Sequence, residues 1–533
     1  MGGQYIVRAR RVGLDDISHT NTSNDQQRIM LEDKCASVKP CSPGLILPIW
    51  GNQNDELPIR IFRAFLYLSL MIYLFLGVSI VADRFMAAID VITSQQRNVT
   101  IKGSNGETKV VSVRMWNETV SNLTLMALGS SAPEILLTVI EVIGNKFEAG
   151  DLGPGTIIGS AAFNFFCIIG LCIIVVPGDE KRRIERNDVF WVTVIWSTFA
   201  YIWLYLILCV FSPNIVQVWE ALLTLIFFAL TVTTAYWASR YAPNLRRLML
   251  NITRPELRKA SAISHSLTEP NAYYAEKEIE CMFPKLSIDG YLYQRKHSGI
   301  INIHKLDTDI GSADRSAAEY VEIPQEEDAK GKKSTTYTFV DYVSLPWEIL
   351  FSCIPSTKYC HGWVCFIASI VSIGILTAII GDTASLFGCT IGLKDTVTAI
   401  TIVALGTSVP DTFASKLAAI QNPTADSSIG NVTGSNAVNV FLGIGIAWSI
   451  ASIYHACNGN AFHVHAGSLA ASVALFTIGS TICVVILQLR RHNKMISAEL
   501  GGPAGCKWLS AGVFFLIWIL YITYCALDAY CLF

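Results

Sequence analysis

The sequence predicts an all-α polytopic membrane protein, with ten transmembrane helices arranged as two inverted five-helix repeats. Three observations carry that expectation. First, 52% of the 533 residues are hydrophobic and only 15% are charged, far from the balance of a soluble domain. Apolar runs of about 20 residues, long enough to cross a bilayer, recur along most of the chain. Second, one stretch occurs twice. Ala127-Leu128-Gly129-Ser130-Ser131-Ala132-Pro133-Glu134 is echoed by Ala404-Leu405-Gly406-Thr407-Ser408-Val409-Pro410-Asp411. Downstream, 151–164 matches 426–439 without a gap, ending in Asn164 and Asn439. Third, Lys and Arg crowd alternate loops, which sets a direction for every span.

Taken in order, residues 1–58 are polar and contain the sequon Asn21-Thr22-Ser23, and no cleavable signal is expected because they hold no apolar run that could serve as one. Five spans are expected near 61–82, 119–144, 152–176, 189–211 and 216–238. The first is followed by a polar loop holding Arg84, Arg97, Lys102, Lys109 and Arg114. Residues 240–341 form the longest polar segment, which opens on Arg240, Arg246, Arg247, Arg254, Arg258 and Lys259. Its weak periodicity reads as a flexible loop. An amphipathic stretch at 342–354 is expected on the membrane surface. Five further spans follow near 363–380, 396–420, 429–453, 466–489 and 509–527. The expected domains are therefore 1–58, 59–239, 240–341 and 342–533.

The loops after spans 1, 3, 5 and 9 are basic, whereas those after spans 2, 4, 6 and 8 carry at most one or two basic residues. Both termini are thus expected outside and the long loop in the cytoplasm. Arg60 and Arg63 alone argue the reverse and are outnumbered. Span 2 then runs outward and span 7 inward, the inverted symmetry common among transporters. Of the fifteen cysteines, Cys167, Cys172, Cys209, Cys365, Cys483 and Cys525 fall in apolar runs and read as small hydrophobes. Cys35, Cys41 and Cys389 lie in polar segments.

Glu134 and Asp411 sit inside apolar helices, where a lone charge costs from ~2.5 kcal/mol upward. The plainer alternative is a structural acid, protonated or paired with a cationic side chain. No Lys or Arg lies at matching depth in either span, so a metal cation is the simpler neutraliser. Gly129, Gly406, Pro133 and Pro410 are expected to break the helices and free carbonyls such as those of Ala127 and Ala404. Ser130, Ser131, Thr407 and Ser408 add hydroxyls, and Asn164 and Asn439 add amide oxygens. Ser160 and Ser435 serve equally as ligands or as small packing residues. Hard oxygens suit Ca2+ and Na+ as cargo rather than zinc, copper or iron, and no organic cofactor is expected. Two carboxylates balance one Ca2+. Several Na+ would leave a different net charge, so the cycle should carry current.

At these motifs the chain resembles the plasma-membrane sodium/calcium exchanger family of the calcium/cation antiporter superfamily. The resemblance extends to 77–86, 380–395 and Glu499-Leu500-Gly501-Gly502-Pro503. It implies exchange of about three Na+ for one Ca2+ by alternating access, with the lipid bilayer and the two ions as partners and no nucleic acid. It carries ion-ligand roles to Ala127, Ser130, Ser131, Glu134, Ser160, Asn164, Ala404, Thr407, Ser408, Asp411, Ser435 and Asn439. It also implies a disulfide from Cys35 or Cys41 to Cys389, which the expected outside placement permits. Family members usually carry two regulatory Ca2+-binding β-sandwich domains in the long loop, and this loop is too short for them. The basic run at 240–259 matches the family's autoinhibitory segment in position and charge. It offers a surface to anionic lipid or calmodulin, although topology-setting charge explains it more simply. Potassium-dependent exchangers are the nearest rival, but they tend to place Asp where Asn439 stands. A cation channel does not call for the inverted repeat. An intramembrane aspartyl protease needs two aspartates, where this chain has Glu134 among hydroxyls.

Overall fold

The computed structural model describes residues 41, 43–50, 56–102, 108–114, 127–253, 339–464 and 467–531. Two compact units emerge, residues 1–239 with 344–533, and residues 240–343. In the second unit the described residues are the end of one helix and the start of another. Expectations for 1–40, for 254–338 and for Cys35 and Asn21 lie outside the described residues.

The first half runs α1 (Leu57–Thr93), β1 (Gln96–Lys102), β2 (Thr108–Arg114), α2 (Ala127–Ser130), α3 (Ala132–Gly144), α4 (Leu152–Phe163) and α5 (Ile169–Val175). It continues through β3 (Lys181–Arg182), α6 (Asn187–Tyr205), β4 (Ile215–Val216) and α7 (Val218–Thr253). The second half runs α8 (Phe339–Phe351), α9 (Trp363–Ile391), α10 (Asp395–Thr398), α11 (Ala404–Thr407), α12 (Val409–Gln421), α13 (Asp426–Val438) and α14 (Gly445–Cys457). It ends with β5 (Phe462–His463), α15 (Gly467–His492), β6 (Leu500–Gly501) and α16 (Ala504–Ala529).

Among the described residues, eight helices are long and apolar enough to cross a membrane, and a bent pair within 395–421 makes a ninth. The expected second span is described only from Ala127 onward. Several helices outrun their expected bounds. α1 spans 37 residues, about 55 Å at 1.5 Å per residue, well beyond a hydrocarbon core of about 30 Å. Nothing between Ala82 and Thr93 breaks a helix, so Arg84 is helical rather than part of a loop. α7 likewise carries Arg240, Arg246 and Arg247. α9 runs on to Ile391, ended by Gly392 at φ 82°, and it begins after Gly362 at φ 92°. Cys389 therefore sits buried in a helix rather than in a polar segment.

The all-α expectation needs a local correction. The loop after α1 contains an antiparallel hairpin with Gln96 opposite Arg114 and Lys102 opposite Thr108. Its β-branched run of Val99, Thr100, Ile101, Val110, Val111 and Val113 explains it. Two further short ladders join loops, β3 with β6 and β4 with β5.

Two apolar cores organise the membrane part. One packs α1 on α9 through Val78, Val81, Phe85, Ile373, Leu376 and Ile380. Phe85 stacks on Phe366 with ring centroids 4.9 Å apart. α8 presents Ser344, Trp347 and Phe351 on one buried face, and the Trp347 indole donates to the Tyr73 carbonyl at 3.1 Å. Gly77 is required there, because a Cβ would lie 2.8 Å from the indole. The larger core gathers α4 to α6 and α13 to α16 around Phe165, Tyr201, Phe441, Trp448 and Phe476. The span of α4 and α5 is 83% buried and that of α16 only 22%, so these repeat helices are central and α16 is peripheral.

Candidate functional site

Both repeats place their acid just past a helix break. Ser131 separates α2 from α3, and Ser408 separates α11 from α12, where the chain bends by 44° between 395–407 and 409–421. Pro133 and Pro410 occupy the first positions of α3 and α12, where a missing N–H costs little. Glu134 and Asp411 fall in the first turns of those helices, where the macrodipole favours a carboxylate. Gly129 and Gly406 let α1 approach the breaks. A Cβ on Gly129 would lie 2.8 Å from Met86 and Ile89, and one on Gly406 would overlap the Phe75 ring.

The partner helices answer in kind. At Asn164 and again at Asn439 the α-helix widens into a π-helical turn, 164–168 and 439–444. Such turns release backbone groups and recur at functional positions. Gly159 allows the crossing, since a Cβ would sit 2.7 Å from the Ile400 backbone.

All twelve expected ligand residues are buried, none more than 1% exposed. Ser160 donates to Glu134 Oε1 at 3.0 Å, and its hydroxyl lies 2.6 Å from that of Ser408. Asn164 donates to Asp411 Oδ2 at 2.9 Å and to Ser435 Oγ at 3.2 Å, and Ser435 donates to the same carboxylate oxygen at 3.1 Å. Ser130 donates to Asn431 Oδ1 at 3.3 Å. Thr407 donates back to the Val403 and Ala404 carbonyls. One expectation fails: the Ala127 and Ala404 carbonyls are not freed, because they accept the Ser131 and Ser408 amides at 3.1 and 3.2 Å. Pro133 and Pro410 lack the N–H that would reach the Gly129 and Gly406 carbonyls four residues back, so it is those helical bonds that the prolines remove. The Ala127 and Ala404 oxygens each accept a hydroxyl as well, from Ser130 and Thr407 at 3.4 Å.

Among the twelve expected ligand residues, four buried side-chain oxygens find no hydrogen-bond partner among the described residues: Ser131 Oγ, Glu134 Oε2, Asn164 Oδ1 and Asn439 Oδ1. Leaving such groups unpaired costs about 1–3 kcal/mol each, which a hard cation would repay. No group of three or more His, Cys, Asp or Glu comes together among the described residues. The donor set fits Ca2+ or Na+ and not a soft metal.

Sequence reasoning missed two residues here. Asn431 donates to Asp411 Oδ1 at 3.2 Å and to Ser415 Oγ at 3.0 Å. Asn436 accepts from Asn164 at 3.1 Å. The signal was present in the ungapped repeat, where Asn431 and Asn436 stand opposite Thr156 and Ala161. Other acids are held by backbone amides. Asp382 accepts the amides of Leu45, Ile46 and Leu47 at 2.6–2.8 Å, and Glu141 accepts those of Leu152 and Gly153. A cleft of about 440 Å³ is lined by Gly44, Leu45, Glu141, Asp151, Asp382 and Asp395. Beside it, Cys41 is bridged to Cys389, which decides between the two expected partners. The intramembrane cysteines Cys167, Cys172, Cys209, Cys365, Cys483 and Cys525 are free thiols.

The profile of the sodium/calcium exchanger protein family matches residues 66–237 and 361–527. Sodium/calcium exchanger 3 of Homo sapiens is 31% identical over 905 aligned positions, covering 98% of this chain and 96% of that protein. The chain belongs to the sodium/calcium exchanger family. That family is one of transporters, not enzymes. Sodium/calcium exchanger 2 of Mus musculus is 30% identical, covering 96% of each chain. Sodium/calcium exchanger 1 of Felis catus is 30% identical, covering 93% of this chain and 95% of its own. The alignment with exchanger 3 is far longer than the 533 residues here, so that relative carries several hundred residues without a counterpart. Among solved structures, the sodium-calcium exchanger NCX_Mj soaked with zero Na+ and Ca2+ is 16% identical. That match covers 87% of this chain and 99% of the other, with a TM-score of 0.40.

Proposed function

We propose that this chain is an electrogenic Na+/Ca2+ antiporter of the plasma membrane, moving about three Na+ against one Ca2+ by alternating access. The observation that carries the reading is the pair of fully buried carboxylates, one from each repeat, among partnerless oxygens. The ion ligands are the twelve residues named above, from Ala127 to Asn164 and from Ala404 to Asn439. Ca2+ between Glu134 and Asp411 neutralises both charges. Replacing it with several Na+ changes the net charge of the loaded site and so moves current.

Alternation needs two bodies. α1 and α9 share a core of their own, distinct from that of the repeat helices, and α1 abuts both helix breaks. Sliding that pair would expose the site to one side and then the other. The expected alternation of sides is supported by links that join ends of like expected side, β3 with β6 and β4 with β5, and an outside N-terminus suits the Cys41–Cys389 bridge. The acidic cleft beside the bridge would then face outward and concentrate cations. The basic run at 240–259 is best read as topology-setting charge; vesicles with and without anionic lipid would reveal any further role.

The test is Ca2+ uptake into Na+-loaded proteoliposomes with the membrane potential clamped. The reading expects uptake that follows the Na+ gradient, needs no K+, and shifts with voltage. A voltage-insensitive flux removes the electrogenic mode, and an absolute K+ requirement moves the chain to the potassium-dependent class.

A further inference from the structure

The amide of Asn164 can help a cation only if its oxygen, not its nitrogen, faces the ion. Three acceptors surround Nδ2: Asp411 Oδ2 at 2.9 Å, Asn436 Oδ1 at 3.1 Å and Ser435 Oγ at 3.2 Å. Turning the amide over would set its oxygen against a carboxylate oxygen and another amide oxygen, a lone-pair conflict in a buried site. Asn436 is itself held from two sides. Its Nδ2 donates to the Ala161 carbonyl at 3.4 Å, and the Tyr201 hydroxyl donates to its backbone carbonyl at 3.3 Å. Its side-chain oxygen is therefore committed to Asn164, whose own oxygen is left without a partner among the described residues.

The mirror position lacks this device. Asn439 is the counterpart of Asn164, and the residue matching Asn436 in the first repeat is Ala161, which has no polar side chain. Accordingly neither Oδ1 nor Nδ2 of Asn439 has a partner among the described residues.

We infer that Asn436 is a positioning residue, which holds the Asn164 amide with its nitrogen on Asp411 and its oxygen turned to the divalent cargo. Asn439 stays free to turn. The inference rests on the Na+/Ca2+ exchange reading. Groups that orient an ion's ligands are worth about 10–100-fold in affinity.

The experiment measures Na+-driven Ca2+ uptake by full-length wild type, Asn436→Ala and Asn436→Asp in proteoliposomes, normalised to reconstituted protein, with Glu134→Gln and Asp411→Asn alongside. For Asn436→Ala the KM for Ca2+ should rise about tenfold, with the maximal rate little changed. Asn436→Asp keeps an acceptor for Asn164 Nδ2 and should restore much of the lost affinity. An unchanged KM in Asn436→Ala overturns the inference, as does an equal fall in rate with no KM change in both Asn436 variants. If Glu134→Gln and Asp411→Asn still exchange, the site reading itself has failed. If they are silent while Asn436→Ala keeps the wild-type KM, only this inference has failed.

Discussion

Glu134 and Asp411 occupy equivalent positions in two halves of one repeat, yet their surroundings differ. Asp411 accepts from Asn164, Ser435 and Asn431, so both its oxygens are engaged. Glu134 accepts from Ser160 on one oxygen, and Oε2 has no partner among the described residues. The asymmetry extends outward, with Asn164 anchored and Asn439 not. Symmetric ancestry thus produces one preorganised end and one end left open to a ligand. Under the proposed exchange, an ion would meet a fixed wall on the Asp411 side and an adjustable carboxylate on the Glu134 side.

Substitutions at the two asparagines should break this comparison most sharply. Asn164→Ala removes a donor from Asp411 and is expected to abolish uptake and lower stability by about 1–3 kcal/mol. Asn439→Ala should impair uptake yet leave thermal unfolding in detergent unchanged or raised, since it deletes a buried group that pairs with nothing described. Equal destabilisation by both would show the ends to be alike.

The two glycines come next. Gly406→Ala drives a methyl into the Phe75 ring, whereas Gly129→Ala meets the tips of Met86 and Ile89. Uptake should fall further for Gly406→Ala, and Phe75→Leu should restore part of it. Failure of that rescue would mean that contact with α1 is not the cause.

A smaller effect is expected at Asn431, which links Ser130 to Asp411. Asn431→Ala should reduce the rate several-fold, with Glu134→Gln remaining the more severe lesion. Asp382 provides the mildest test, because its carboxylate is satisfied by backbone amides away from the repeat breaks. Asp382→Asn should loosen residues 45–47, seen as faster amide exchange there, while uptake persists.

Much of this was legible in the chain. Apolar runs gave most of the spans, and the ungapped repeat gave both acids together with Asn164 and Asn439. Helix ends were not legible, because 83–93 and 381–391 contain nothing that stops a helix once the apolar core has nucleated it. The hairpin strands at 96–102 and 108–114 are hard to read because Arg97, Lys102, Lys109 and Arg114 interrupt their β-branched residues. Position in the motif alone does not say which carbonyl a break frees. A proline removes the hydrogen bond four residues back, and that points to Gly129 and Gly406. Asn431 and Asn436 stand where the two copies differ, opposite Thr156 and Ala161, so agreement between the repeats does not reveal them.

The most direct measurement is Na+-gradient-driven 45Ca2+ uptake by purified Glu134→Gln and Asp411→Asn beside wild type, with folding checked by thermal unfolding. The account predicts that both variants fold and neither exchanges. It also predicts that Asp411→Asn loses more stability, because donors now face an amide. Exchange retained by both folded variants would contradict it.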